Sequence, residues 1–130
     1  MADTCVLKLA TFPVRDNPSA LIVQLAIHGH LAWWASPAIV DEYTAVLSNE
    51  PEFLAEVVEA VHLCYPLNEL NVIRHEPDNR FIECALAVQA DYIVTVNTAR
   101  GHFDQEQYEE SKVITPGAFV NLPRVQRLIG

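Results

Sequence analysis

The chain has 130 residues, the size of one domain, with 17 acidic against 8 basic residues and a net charge of −9. That sign disfavours a protein that holds nucleic acid by phosphate neutralisation alone; it suits a carboxylate cluster that needs divalent cations, or a basic protein partner. Although 51% of the residues are hydrophobic, no apolar run reaches membrane-spanning length and the start MADTCVLK has no secretory pattern, so the expectation is a soluble, cytoplasmic protein without a membrane role.

Asn17-Pro18 reads as a helix cap followed by proline at the first helical position, and the apolar pattern Leu21, Ile22, Leu25, Ala26 continues to a stop at Gly29. Residues 31–35, with two tryptophans, read as a buried strand, and Ser36-Pro37 repeats the cap-plus-proline signal for a helix to about Leu47. Pro51 restarts a helix expected to run through Leu63, with Phe53, Leu54, Val57, Val58 and Val61 on one face. Residues 66–74 read as either a short strand or an extended connection. Asp78 is expected to cap a helix to about Gln89; residues 92–96 and 112–115 read as strands, and Pro116 opens a final helical turn. The alternation predicts one three-layer α/β domain over residues 1–130, with no repeat or linker to divide it. Cys5, Cys64 and Cys84 are widely spaced and odd in number, which predicts free thiols rather than a disulfide framework or zinc ribbon.

If helix and strand across Glu76–Thr98 form one α/β unit, their polar ends converge at a single sheet edge, where open α/β sheets place their sites. PDNRFIECA, then ADYIVT, VNTARGHF and a closing KVITPGAFV resemble the C-terminal half of the PIN-domain nucleases, in particular the toxins of bacterial toxin-antitoxin pairs. ADTCVL resembles that family's opening aspartate motif and SPAIVDEYTAVL its glutamate-bearing helix, so the similarity runs from Asp3 to about Val120. The resemblance implies an α/β/α PIN-like fold with a central, mainly parallel sheet. It also implies an Mg²⁺- or Mn²⁺-dependent endoribonuclease that hydrolyses RNA phosphodiester bonds. An antitoxin would be its protein partner, covering the acidic cleft with an arginine or lysine, and dimerisation is common in that family.

By the same resemblance, Asp3, Glu42 and Asp78 fall on the family's three most diagnostic acidic positions, as catalytic groups and metal ligands. Hard divalent cations favour such oxygen donors, and a bound metal orients and acidifies a water for attack on phosphorus. Each has a plainer reading: Asp78 is a good helix cap in its own right, and Glu42 sits on a helix where a lone glutamate faces solvent by default. Asn97 stands where the family often has a fourth acid, and the resemblance implies that it would assist catalysis through its amide oxygen without adding charge. Thr95 could hold a carboxylate or simply end a strand, and Asp104 is a substitute acid from the following loop. Arg80, Arg100 and His102 are further candidates for phosphate contact, and Trp33 and Trp34 for base stacking or core packing.

Two features depart from the resembled pattern. Only Met1 and Ala2 precede Asp3 where a buried strand is expected, so the first strand is truncated; if residues 6–12 pair instead, Asp3 falls at the wrong end of the strand. Cys5 stands where asparagine is common. These departures support the competing expectation of a catalytically inactive PIN fold retained for protein binding or regulation. A receiver-like phosphoacceptor domain ranks below both, because Lys112 precedes its strand instead of following one.

Overall fold

The structure, a computed structural model, describes residues 1–129. Its first helix, α1 (Thr4–Ala10), occupies the segment that could have paired as a strand. Helix wins there because the Asp3 carboxylate accepts from the Thr4 amide at 2.7 Å, and because Val6, Leu7 and Ala10 recur at helical spacing toward the core. Val6 and Leu7 are fully buried, and α1 packs on α2 (Pro18–Ile27). The Asn17 side chain caps α2, accepting from Ser19 N at 3.0 Å and Ala20 N at 3.3 Å. Gly29 supplies the left-handed turn after it, at φ 78°.

Strand β1 (Trp34–Ala35) is shorter than expected and turns directly into α3 (Pro37–Val46), whose cap Ser36 accepts from Ile39 N at 3.3 Å. Helix α4 (Pro51–Ala60) stops before the predicted end: Val61 is extended at ψ 146°, and His62–Leu63 form β2, paired in parallel with β1. The β-branched Val57, Val58 and Val61 hold the helix only weakly, and the open edge of β1 recruits the chain, with His62 N–H donating to Trp33 C=O at 2.8 Å. Residues 66–74 form an irregular connection.

A one-turn 3-10 helix (Glu76–Asp78) leads into α5 (Asn79–Ala87) and then β3 (Tyr92–Val94). A short strand β4 (Gln107–Tyr108) pairs antiparallel with β5 (Ser111–Ile114), and β5 pairs in parallel with β3. The chain closes with α6 (Pro116–Val120) at the expected turn, and α7 (Pro123–Ile129). β2, β4 and α7 were not anticipated.

One continuous central sheet is not what the described residues form: the strands divide into the pair β1-β2 and the triplet β3-β5-β4. Met1 and Ala2 add a single parallel bridge to β3, Ala2 to Val94, with Val94 N–H donating to Met1 C=O and Asp3 N–H to Val94 C=O, each at 2.9 Å. No strand follows on to β1, although the buried Tyr43 of α3 donates its hydroxyl to Ala2 C=O and ties the bridge to the other half of the core. The short bridge nonetheless runs in parallel, so Asp3 emerges beside the C-terminal end of β3 and not at the wrong edge. Among the described residues no helix is long and apolar enough to cross a membrane.

Candidate active site

Asp3 is buried, and both of its carboxylate oxygens are held: Oδ1 by the Thr4 amide at 2.7 Å, Oδ2 by the Thr95 hydroxyl at 2.8 Å and the Cys5 thiol at 3.2 Å. Thr95, fully buried at the end of β3, also accepts from Asn97 N at 2.9 Å. It is therefore a positioning group for Asp3 and for the following turn, rather than only a β-branched strand end. Burial raises the Cys5 thiol to about 11, assisted by the adjacent Asp3 charge, so the thiol stays protonated and serves as a weak donor to the carboxylate.

Glu42 lies half-buried on α3 between the exposed Asp41 and the fully buried Tyr43, so it faces inward and not to bulk solvent. The Thr4 hydroxyl donates to its Oε2, which links the start of α1 to α3. Asp78 is buried at the head of α5, yet its side chain makes no capping hydrogen bond. Instead its Oδ2 lies 2.8 Å from His102 Nδ1, and His102 Nδ1 is 3.0 Å from Asn97 Nδ2. The plain capping reading of Asp78 is thus replaced by a tertiary contact.

The chain therefore links the four sequence-derived residues through short bridges: Asp3 to Asn97 through Thr95, Asp3 to Glu42 through Thr4, and Asp78 to Asn97 through His102. Burial raises the Glu42 carboxyl above its ordinary range, and the charges of Asp3 and Asp78 raise it further. Burial likewise raises Asp78, with Asp3 adding to the effect against the opposing His102 hydrogen bond. Carboxylates held this way repel one another, and a divalent cation relieves the repulsion. Glu42 Oε1 and Asp78 Oδ1 accept no hydrogen bond among the described residues, so the donor set suits a hard cation.

The group with metal-ligand spacing among the described residues is a different one: His75, Asp78 and His102 each offer an atom within 4.8 Å of the others. His75 was not singled out in the sequence; its only signal is its place three residues before Asp78 in HEPD. Thr4 was missed as well, being visible only once α1 and α3 meet.

Several candidates fall away from the site. Arg80 is tied to Glu76 at 2.8 Å and to the buried Glu83 at 2.9 Å, which removes it as a free phosphate contact. Asp104 accepts from the Gly101 amide within its own loop. Trp33 is buried against Tyr43, and half-buried Trp34 packs on His62. Both line a cavity of about 470 Å³ bounded also by Met1, Asp91 and Tyr92, at the opposite end of β3 from Asn97. Arg100 remains exposed near the cluster in sequence.

A family model described as PIN domain matches residues 1–99, which include Asp3, Glu42, Asp78 and Asn97. No curated protein and no solved structure matches the chain.

Proposed function

The chain belongs to the PIN-domain family, and from that premise we propose that it is a metal-dependent endoribonuclease acting as the toxin of a toxin-antitoxin pair. The observation that carries the reading is the convergence of buried Asp3 with Glu42, Asp78 and Asn97 through Thr4, Thr95 and His102; burial raises the Glu42 and Asp78 carboxyls and the Asp3 charge raises both further, an arrangement that a cation relieves. Asp3, Glu42 and Asp78 would hold Mg²⁺ or Mn²⁺, and Asn97 would assist from the turn after β3. Such a cation supplies an acidified water and neutralises charge on the leaving oxygen.

The chain's own residues do the positioning. The Thr4 amide and the Thr95 hydroxyl fix the two oxygens of Asp3, while the Thr4 hydroxyl fixes one oxygen of Glu42 and leaves the other free. Pre-set carboxylates of this kind lower the reorganisation needed when a phosphodiester arrives. Within the same reading the pair β1-β2 and the triplet β3-β5-β4, with the Ala2 bridge beside β3, stand in for the PIN-type central, mainly parallel sheet. The toxin role rests on the ordered motifs, a cytoplasmic location is part of the same proposal, and a basic antitoxin segment suits the net charge of −9. Homodimerisation belongs to the same proposal.

Incubation with a mixed structured RNA in Mg²⁺, in Mn²⁺ and in EDTA, alongside Asp78→Asn, tests this. Metal-dependent cleavage lost in the variant is the expected result. Unchanged cleavage by Asp78→Asn rules the proposal out. No cleavage by folded protein turns the reading toward a silent, partner-binding PIN domain.

A further inference from the structure

Two loops that are far apart in the chain are pinned face to face beside Asp78. The His75 amide donates to Gly101 C=O at 2.8 Å, and the Asp78 amide to His75 C=O at 3.0 Å. The imidazole rings of His75 and His102 consequently sit with centroids 4.7 Å apart. His102 Nδ1 then faces two groups at once, Asp78 Oδ2 at 2.8 Å and the Asn97 amide nitrogen at 3.0 Å.

Nδ1 offers either one lone pair or one proton, so it cannot satisfy the Asn97 N–H and the Asp78 carboxylate together. A metal ion bound by Nδ1 and Oδ2 would take that lone pair in place of the Asn97 N–H. Two ligand atoms bound in adjacent positions at about 2.1 Å from a metal stand about 3 Å apart, close to the observed Nδ1 to Oδ2 separation. The ligand atoms of all three residues lie within 4.8 Å of one another, so side-chain adjustment without backbone movement closes them on one ion.

We propose that His75, Asp78 and His102 form a divalent-metal site with two nitrogen donors and one oxygen donor, selective for a borderline transition metal such as Mn²⁺, Co²⁺ or Zn²⁺ over Mg²⁺. Imidazole suits these ions, whereas Mg²⁺ prefers oxygen and water. His75 is exposed and Asp78 buried, so the ion is anchored from inside and keeps open positions toward solvent. His102 lies beyond the segment matched by the family model, so this donor comes from outside the residues that mark the family. The site deepens the nuclease reading through the shared Asp78, but its test is binding alone.

Tag-free, chelator-stripped protein is titrated with Co²⁺, followed by visible absorption and calorimetry, with excess Mg²⁺ as competitor. The expected result is one Co²⁺ per chain with a ligand-field band, resistant to about a hundredfold excess of Mg²⁺. His75→Ala and His102→Gln should each weaken Co²⁺ binding at least about tenfold, while circular dichroism melts show that both variants remain folded. Co²⁺ affinity equal to wild type in both folded variants overturns the proposal, as does equal competition by Mg²⁺. Co²⁺ binding without any RNA cleavage would sustain this site while removing the nuclease reading. Cleavage that needs Mg²⁺, with no histidine-dependent Co²⁺ binding, would do the reverse.

Discussion

Replacing Asn79 with alanine should destabilise the protein by about 3–4 kcal/mol. The side chain is fully buried at the first turn of α5 and makes four hydrogen bonds. Its Oδ1 accepts from Val72 N at 3.0 Å and Ile73 N at 2.9 Å, and its Nδ2 donates to Ile73 C=O and Glu76 Oε2, both at 2.9 Å. Val72 is exposed, so its amide can turn to water when the acceptor is lost. Ile73 is 6% exposed, so its N–H and C=O are left buried without partners, at about 1–3 kcal/mol each. At roughly 3 °C per kcal/mol for a domain of this size, Tm should fall by about 10 °C. Urea unfolding followed by circular dichroism gives the difference directly, with an unchanged m value as the check on two-state behaviour. Asn79→Asp keeps the acceptor for both amides but loses both donors and faces Glu76, so it should also destabilise. A loss under about 1 kcal/mol in Asn79→Ala would refute the reasoning, because the irregular 66–74 segment would then be held by something other than this amide.

In metal-free protein the raised Glu42 and Asp78 carboxyls bind protons more tightly folded than unfolded, so their stabilising contribution is present below the unfolded values of 4.5 and 3.8 and is lost as pH rises through the folded ones. The double variant Glu42→Gln, Asp78→Asn should therefore gain stability over wild type as the pH rises from 4 to 7, measured by urea midpoints at each pH; a constant difference would contradict the assigned burial. Thr95→Val strips a hydrogen bond from Asp3 and strands the Asn97 amide, which predicts a loss of about 2 kcal/mol and slower RNA cleavage. A variant with wild-type stability would mean that Thr95 is only a strand end.

Much of the helical frame was legible because its signals are local. Asn17-Pro18 and Ser36-Pro37 announce α2 and α3, and both caps make the hydrogen bonds expected of them. Asp78 carries the same local signal and was misleading in that respect, since its side chain turns to His102 instead. The two-residue strands were not legible, because β2 exists only by pairing with β1 across 28 positions. The apolar residues 6–12 were ambiguous for a related reason: Val6 and Leu7 suit a strand or a helix, and the Asp3 cap together with the α2 surface decides between them. The acidic positions were readable from ordered motifs, whereas Thr4 and His75 acquire roles only through contacts with α3 and with the 97–104 loop.

On the proposed assignment, Asp3, Glu42 and Asp78 constitute one metal-dependent centre for phosphodiester hydrolysis. Its most direct test is the initial rate of RNA cleavage by chelator-stripped wild-type protein and Asp3→Asn as Mn²⁺ is added back. That assignment predicts no cleavage before addition, a rate that rises with Mn²⁺ in the wild type, and a drop of about a hundredfold or more in the variant. Cleavage that persists without metal, or an equal rate in Asp3→Asn, would contradict it.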